Sequence, residues 1–498
     1  MSGQQRVRRV VIAGGGTAGW LAATVLARQL GQMLDITLIE SDEIGTIGVG
    51  ESTIPTARSF HALAGIDEAA FVAATGSTFK LGIRFEDWGR IGERYFHAFG
   101  EIGRSTWMAH FSHFWLAARN QGIGGPLGDY CLELKAAEAM RFSTDEGGGA
   151  TLNYAYHLDA GRYARFLRTH AEAQGAIRIE GRIADVELGP DNGDIAALRL
   201  QSGERIEGDL FLDCTGFRGL LIEQALGAGW EDWSRWLPND SALALQTRAV
   251  APPLPYTRAI AHSAGWRWEI PLQHRVGNGL VYACAHLSDD EAHDCLLAAV
   301  TGETLIEPRL IRFQTGRRKR QWLRNCIAFG LSSGFVEPLE STSIHLVMIG
   351  LTRLLQLFPF DGCDPALADR YNAQADTELA RIRDFIVLHY KLTNRDDSAY
   401  WRDLAAADVP DSLAERIALF AETGQAYQAV DELFRVDSWV QVMLGQGVAP
   451  RTFHRAAQMM EPARLADALD SLSGNIARAV AALPTHQAFI ERYCPSPL

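Results

Sequence analysis

The sequence predicts an α/β fold in which a Rossmann-type module is followed by a mostly helical C-terminal module. Three observations predict it. A glycine-rich turn sits between a short apolar strand and an amphipathic helix, strand-like segments recur to about residue 330, and the pattern turns helical beyond about residue 350. Arg9 to Ala13 reads as the first strand, Gly14 to Gly19 as the turn, and Ala18 to Leu30 as a helix carrying Leu21, Ala22, Val25 and Leu26 at helical spacing. Asp35-Ile-Thr-Leu-Ile-Glu40 is a second strand ending in an acid. Residues 86 to 150 are irregular, rich in aromatics and glycine, and read as an insertion packed over the N-terminal module. Strands return at Ile177 to Leu200, Ile206 to Asp213, Ala242 to Arg248, Leu280 to His286 and residues 325 to 330. Further on, Ile382, Phe385, Ile386 and His389 share a helical face, as do Leu413, Ile417 and Phe420, and Gly445, Gly447 and Pro450 punctuate two such segments. The division expected is 1–350 for the α/β module and 351–498 for the helical one.

Bulk properties bound the function. The chain has 498 residues, 47% hydrophobic and 21% charged, with a formal net charge of −13. That length allows two or three modules, and that charge gives no reason to expect nucleic acid or an anionic membrane as partner. The run Arg317-Arg318-Lys319-Arg320 breaks the trend and reads as a solvated turn or strand edge. Seven scattered cysteines without a Cys-x-x-Cys pair suit neither a metal site nor a disulfide scaffold; reduced thiols in a cytoplasmic protein are the simplest account. Arg8-Arg9 followed by Val-Val-Ile-Ala imitates a signal peptide, but Gly14-Gly15-Gly16 cuts the apolar run at once. The longest candidate span, Ile344 to Phe358, holds His345, Thr352, Arg353 and Gln356, so no membrane segment is expected.

Gly14-x-Gly16-x-x-Gly19 alone would be a weak signal. Here it follows a strand and opens a helix, and Glu40 ends the next strand. Glycines let the backbone approach a pyrophosphate, the helix N-terminus offers free N–H donors, and the acid accepts hydrogen bonds from ribose hydroxyls. This fits FAD and NAD equally. Two later segments favour FAD: the second glycine turn Gly48-Val-Gly50-Glu51-Ser52-Thr53, and the strand Asp209 to Arg218 running through Asp213 and Gly216. No second Gly-x-Gly-x-x-Gly exists for NAD(P)H, which leans toward a flavin reduced elsewhere.

Three further segments carry a resemblance. Phe79-Lys80-Leu81-Gly82-Ile83, Gly265-Trp266-Arg267-Trp268-Glu269-Ile270-Pro271 and Gly334-Phe335-Val336-Glu337-Pro338-Leu339-Glu340-Ser341-Thr342 look like the flavin-dependent tryptophan halogenases, and the likeness continues less distinctively through His389-Tyr390-Lys391-Leu392. The resemblance implies an FAD-binding module of the flavin monooxygenase (GR2-like) type. It implies that Gly14, Gly16, Thr17, Ala18, Gly19, Glu40, Gly50, Glu51, Asp213, Gly216 and Gly330 bind the cofactor, and that Lys80 and Glu340 are catalytic. Thr342 and Ser343 would bind halide, while Trp266, Trp268, Ser341 and Pro55 would shape the substrate site.

Each residue also has a plainer reading. Lys80 alone would be a surface lysine whose stem lies along apolar neighbours. Trp266 and Trp268, sharing one strand face, would be core. Glu340 would be a helix N-terminal acid ahead of an apolar helix. Under the resemblance, Lys80 either donates a hydrogen bond to hypohalous acid or, deprotonated by burial, carries the halogen as a haloamine. Glu340 polarises the hypohalous acid and accepts the ring proton, and the tryptophans keep substrate from flavin.

The sequence departs from the family pattern twice. Ser343 stands where better-known members usually carry Gly, which bears on bromide against chloride. From Tyr390 to Trp401 and on to Trp439 there is no adjacent tyrosine pair of the kind that clamps the amino-acid group of tryptophan, so an indole-type ring without a zwitterionic tail fits better. The expected partners are an NADH-dependent flavin reductase, a small aromatic substrate, O2 and halide, with the enzyme a monomer or homodimer. The rivals are a flavin-dependent aromatic hydroxylase and a catalytically silent FAD-binding protein.

Overall fold

The computed structural model describes residues 6–43, 50–144 and 151–497; Gly48 and Val49 of the second glycine turn lie outside them. Apolar residues in Arg9–Ala13 and Asp35–Glu40 make both segments strands buried on two faces, as a parallel sheet requires. They pair in parallel, Val10 opposite Ile36, and Leu210–Asp213 lies parallel on the other side of Arg9–Ala13. Six strands form this sheet, in the order Trp322–Leu323, Cys326–Ala328, Leu210–Asp213, Arg9–Ala13, Asp35–Glu40 and Ile177–Glu180. Helix Thr17–Leu30 packs beside it against helices Ala160–Ala173 and Ser343–Gln356.

A second, seven-stranded sheet is largely antiparallel. Its order is Arg309–Arg312, Ser241–Arg248, Arg275–Tyr282, Gly265–Pro271, Thr257–His262, Gly82–Glu86 and Arg94–Ala98. Between the two sheets lies a small one, Gly50–Ser52, Ala155–Asp159 and Thr78–Lys80. Its register positions the site. Ser52 and Thr78 both pair with His157, and Lys80 pairs with Ala155, so Ser52 and Lys80 share one face. Phe79 turns to the other face and stacks on Phe142, 4.3 Å between ring centroids. Its complete burial contributes about 2–3 kcal/mol and anchors the strand.

The segment expected as an insertion divides between two cores. Ala136, Ala137 and Phe142 join the core of the six-stranded sheet, whereas Phe111, Phe114 and Tyr130 join the core of the seven-stranded sheet with Trp439, Leu465 and Leu469. The residues after 350 likewise have no core of their own among the described residues. Helix Pro365–Lys391 buries Ala368, Tyr371 and Ala375 in the first core and Leu379 through Tyr390 in the second. The basic run is a correction. Arg318 is buried, with Nη1 paired to Glu223, while Arg317 pairs with Glu231 and Asp376 and Arg320 with Asp369. Lys319 is exposed. Arg317 and Arg318 are structural ties, because acids from three other elements face the strand Gly316–Arg318, whereas the Arg320–Asp369 pair lies at the surface. No helix among the described residues is long and apolar enough to cross a membrane.

Candidate active site

The glycine turn behaves as close packing demands. A Cβ on Gly19 would run into the Gly14 carbonyl, and one on Gly14 into the Cys214 carbonyl. A Cβ on Gly16 would meet nothing within 4 Å, because Gly16 caps helix Thr17–Leu30 at the wall of a large apolar cavity. Thr17, Ala18, Gly50, Glu51, Gly216 and Gly330 line the same cavity. Burial, aided by Asp159, pushes the Glu51 carboxyl up to about 7. Glu40 sits below the turn, accepting from Trp20 Nε1 at 3.2 Å and paired with Arg178. Asp213 is not on the cavity wall. Its carboxylate accepts from the backbone N–H groups of Thr215, Leu221 and Ile222, so it holds the turn that presents Gly216.

At the far part of this cavity stand Ser52, Ser341, Ser343, Trp266 and Trp268. Lys80 lies behind the two serines and is completely buried. Its Nζ donates to Ser341 Oγ at 2.8 Å, Ser52 Oγ at 2.9 Å and the Thr53 carbonyl at 3.3 Å, and it stands 5.2 Å from the centre of the half-buried Phe99 ring. An ammonium has three donors, and all three are used. Burial lowers its pKa from 10.5 to about 7, with Glu340 pulling the other way. That difference corresponds to a cost on the order of 5 kcal/mol, at about 1.4 kcal/mol per pH unit. Ser341 has φ +60, the left-handed region that costs a non-glycine residue roughly 1 kcal/mol or more. Its hydroxyl, 2.6 Å from Ser52 Oγ as well as bonded to Lys80, offsets that strain.

Glu340 ends the short 3-10 turn Pro338–Glu340 and is also buried. Among the described residues no ion pair joins it to Lys80; Lys80 binds Ser341, the residue after Glu340, and the attraction to the carboxylate acts across space. Two histidines hold the carboxylate. His97 Nδ1 donates to it at 2.8 Å, and His389 Nε2 stands 2.8 Å from Oε1, off the ring's N–H axis. Burial alone would raise this carboxyl, but His97 and His389 outweigh it and hold the pKa at about 2. His389 is in turn bonded through Nδ1 to the Tyr95 hydroxyl at 2.7 Å.

Thr342 caps helix Ser343–Gln356, and its hydroxyl is buried with no partner among the described residues. Ser343 is the first residue of that helix. Pro55 opens helix Thr56–Ala64, two residues beyond the Thr53 carbonyl that Lys80 binds. Trp266 and Trp268 are buried side by side, 6.0 Å between ring centroids, with Trp266 Nε1 donating to Glu337 at 2.9 Å.

The tryptophan halogenase family model matches residues 9–462. The chain belongs to the tryptophan halogenase family. It is 38% identical to tryptophan 6-halogenase SttH of Streptomyces toxytricini over 82% of this chain and 83% of that one. Among solved structures it is similar to Xcc4156, a flavin-dependent halogenase from Xanthomonas campestris, with TM-score 0.97 and 54% identity over 99% of both chains. It is also similar to BrvH, a flavin-dependent halogenase from Brevundimonas sp. BAL3, with TM-score 0.94 and 45% identity over 98% of this chain and 100% of that one.

The protein is therefore a flavin-dependent halogenase, an enzyme that uses FAD with O2 and a halide on a small aromatic substrate. The residues fit that cofactor: the space beside Gly16, at the N-terminus of a 14-residue helix, is an open cradle for a pyrophosphate. Sequence reasoning missed the halogenase's Ser52 hydroxyl, His97 and His389. Ser52 was in view only as part of the second glycine turn, and His389 only as part of a helical face and of the less distinctive segment His389-Tyr390-Lys391-Leu392. In the stretch 390–439, Tyr390, Tyr400, Trp401 and Trp439 are buried, whereas Tyr427 is exposed.

Proposed function

We propose that this halogenase attaches bromide or chloride to an indole-type ring, using reduced FAD delivered by a separate NADH-dependent flavin reductase and hypohalous acid passed to Lys80. The single observation that supports it best is the arrangement of Lys80: an enclosed ammonium bonded to two serines that themselves form part of the flavin-cavity wall. Bound reduced FAD would supply the two electrons that activate O2, and the activated oxygen is what oxidises halide to hypohalous acid.

The chain's own residues do the rest. The N–H groups of Thr342 and Ser343 at a helix N-terminus suit an anion, and the unpartnered Thr342 hydroxyl is a further donor. Ser343 brings a side chain to the wall there, which alters the halide pocket and makes bromide a candidate beside chloride. Lys80 Nζ then gives up its bond to one of the two serines and donates to the hypohalous acid instead. As the ring carbon takes the halogen, the halogen–oxygen bond breaks and its electron pair leaves with oxygen, which becomes water on receiving the Lys80 proton. The ring proton passes to Glu340, and its return to Lys80 resets the site. Three satisfied donors at Nζ support the ammonium, rather than a haloamine, as the working form. The absence of an adjacent tyrosine pair in the stretch 390–439 supports indole over free tryptophan.

The test is mass spectrometry of products formed with a flavin reductase, NADH, FAD, O2 and equal bromide and chloride, over indole, tryptophan and tryptophan-containing peptides. Halogen isotope patterns on indole are expected. A gain of oxygen without halogen would instead identify a hydroxylase, and no turnover on any of them would identify a silent FAD-binding protein.

A further inference from the structure

Glu337 is a second buried acid of the Glu337–Glu340 segment, and the mechanism above does not use it. Its Oε2 accepts from Trp266 Nε1 at 2.9 Å, from Asn239 Nδ2 at 3.0 Å and from the Tyr390 hydroxyl. Those donors come from the strand Gly265–Pro271, the segment before strand Ser241–Arg248, and the end of helix Pro365–Lys391. Four parts of the chain thus meet at one oxygen. Oε1 is buried with no hydrogen-bond partner among the described residues. Burial raises this carboxyl, whereas the histidines hold Glu340 down. The two acids, three residues apart, occupy opposite electrostatic environments.

What Glu337 holds has consequences for the cavity. Trp266 lines it, and so do Val336, Pro338, Leu339 and Ser341 from the segment around Glu337. The wall between flavin and Lys80 is built from two surfaces, and the Glu337–Trp266 hydrogen bond joins them. An indole N–H usually finds a partner when buried, and one left unsatisfied bears its desolvation cost, so the bond to Glu337 favours this ring position.

We propose that Glu337 is a positioning residue: by fixing Trp266 against the Pro338–Ser341 turn it closes the cavity wall and directs hypohalous acid to Lys80 instead of to solvent. This rests on the halogenase reading above. Loss of the bond then uncouples flavin oxidation from halogenation, and hypohalous acid leaves the wall unconsumed.

The experiment measures, for each flavin oxidised, the halogenated indole formed, the hydrogen peroxide released and the free hypobromite captured by monochlorodimedone. It compares the wild type with Glu337→Gln, Glu337→Met, Trp266→Phe and the Met/Phe double variant, all with bromide and a flavin reductase. Gln keeps an acceptor for the indole, and its yield is expected to stay near wild type. Met removes the acceptor and Phe the donor, and each is expected to lower product per flavin by about a hundredfold, as a displacement near 1 Å can. The double variant is expected to be no worse than either single one, because both break the same bond. If Glu337→Met does not fold, Trp266→Phe carries the test. Full coupling in Trp266→Phe, or additive losses in the double variant, overturns the proposal. A wild-type enzyme that makes no halogenated indole overturns the halogenase reading instead.

Discussion

Lys80 costs the protein stability, and the cost has a sign. Its pKa in the fold, about 7, lies below the 10.5 of the unfolded chain. The penalty is therefore fully present below about pH 7 and is relieved as the pH rises from there toward 10.5. Lys80→Met should melt at a higher temperature than the wild type at pH 6, with the gap narrowing at pH 9, when both are followed by calorimetry. An inverted order would mean that the three hydrogen bonds at Nζ outweigh desolvation. The same pKa sets an activity limb: if the ammonium is the working form, halogenation at saturating substrate falls as the pH rises through about 7. Glu340 has the opposite sign. Its carboxylate, held at about 2 against an ordinary 4.5, contributes stability above about pH 4.5 that is lost as the pH falls toward 2. His97→Asn takes away one of the two groups opposing burial, so the carboxyl rises. The ratio of halogenation rate at pH 6 to that at pH 8 should fall relative to wild type, and an unchanged ratio would remove His97 from the account.

Among the elements, what was legible in the sequence was local. Arg9–Ala13, Thr17–Leu30 and Asp35–Glu40 announce themselves because strand, turn and helix signals lie within one short stretch and each agrees with its neighbours. Lys80, Glu340 and Ser341 came from motifs, Ser341 as a residue shaping the substrate site. That Ser52 meets Lys80 was not legible, since it depends on both strands pairing with Ala155–Asp159 in one register. The histidines were invisible for the same reason: His97 comes from an edge strand and His389 from a helix far along the chain. The basic run was misread too, as the buried Arg318 shows, because partners supplied by other elements decide whether a charge is solvated. The helix N-terminus at Gly16 gives a clean test. Gly16→Leu places a side chain in open space, so the fold should keep its melting temperature while FAD affinity, measured by fluorescence quenching, weakens by tenfold or more, about 1.4 kcal/mol. Unchanged affinity would move the pyrophosphate elsewhere.

Across the whole molecule, the helices after residue 350 complete both cores and bring His389 to Glu340. Residues 1–350 expressed alone should lack a cooperative thermal transition, because helix Pro365–Lys391 contributes buried side chains to each core. A sharp transition in that fragment would show that the α/β part folds independently. In the proposed mechanism the same arrangement separates two chemistries, with the cavity that would hold the flavin bordered by Ser52 and Ser341 and Lys80 behind them. The central claim is that transfer to the ring happens at Lys80 and not by hypohalous acid free in solution. The most direct measurement is single-turnover analysis of Lys80→Met with reduced FAD, O2, bromide and indole, following flavin oxidation, trapped hypobromite and bromoindole together. The account predicts flavin oxidation and trapped hypobromite with no bromoindole above the uncatalysed level; bromoindole formed at the wild-type rate would contradict it.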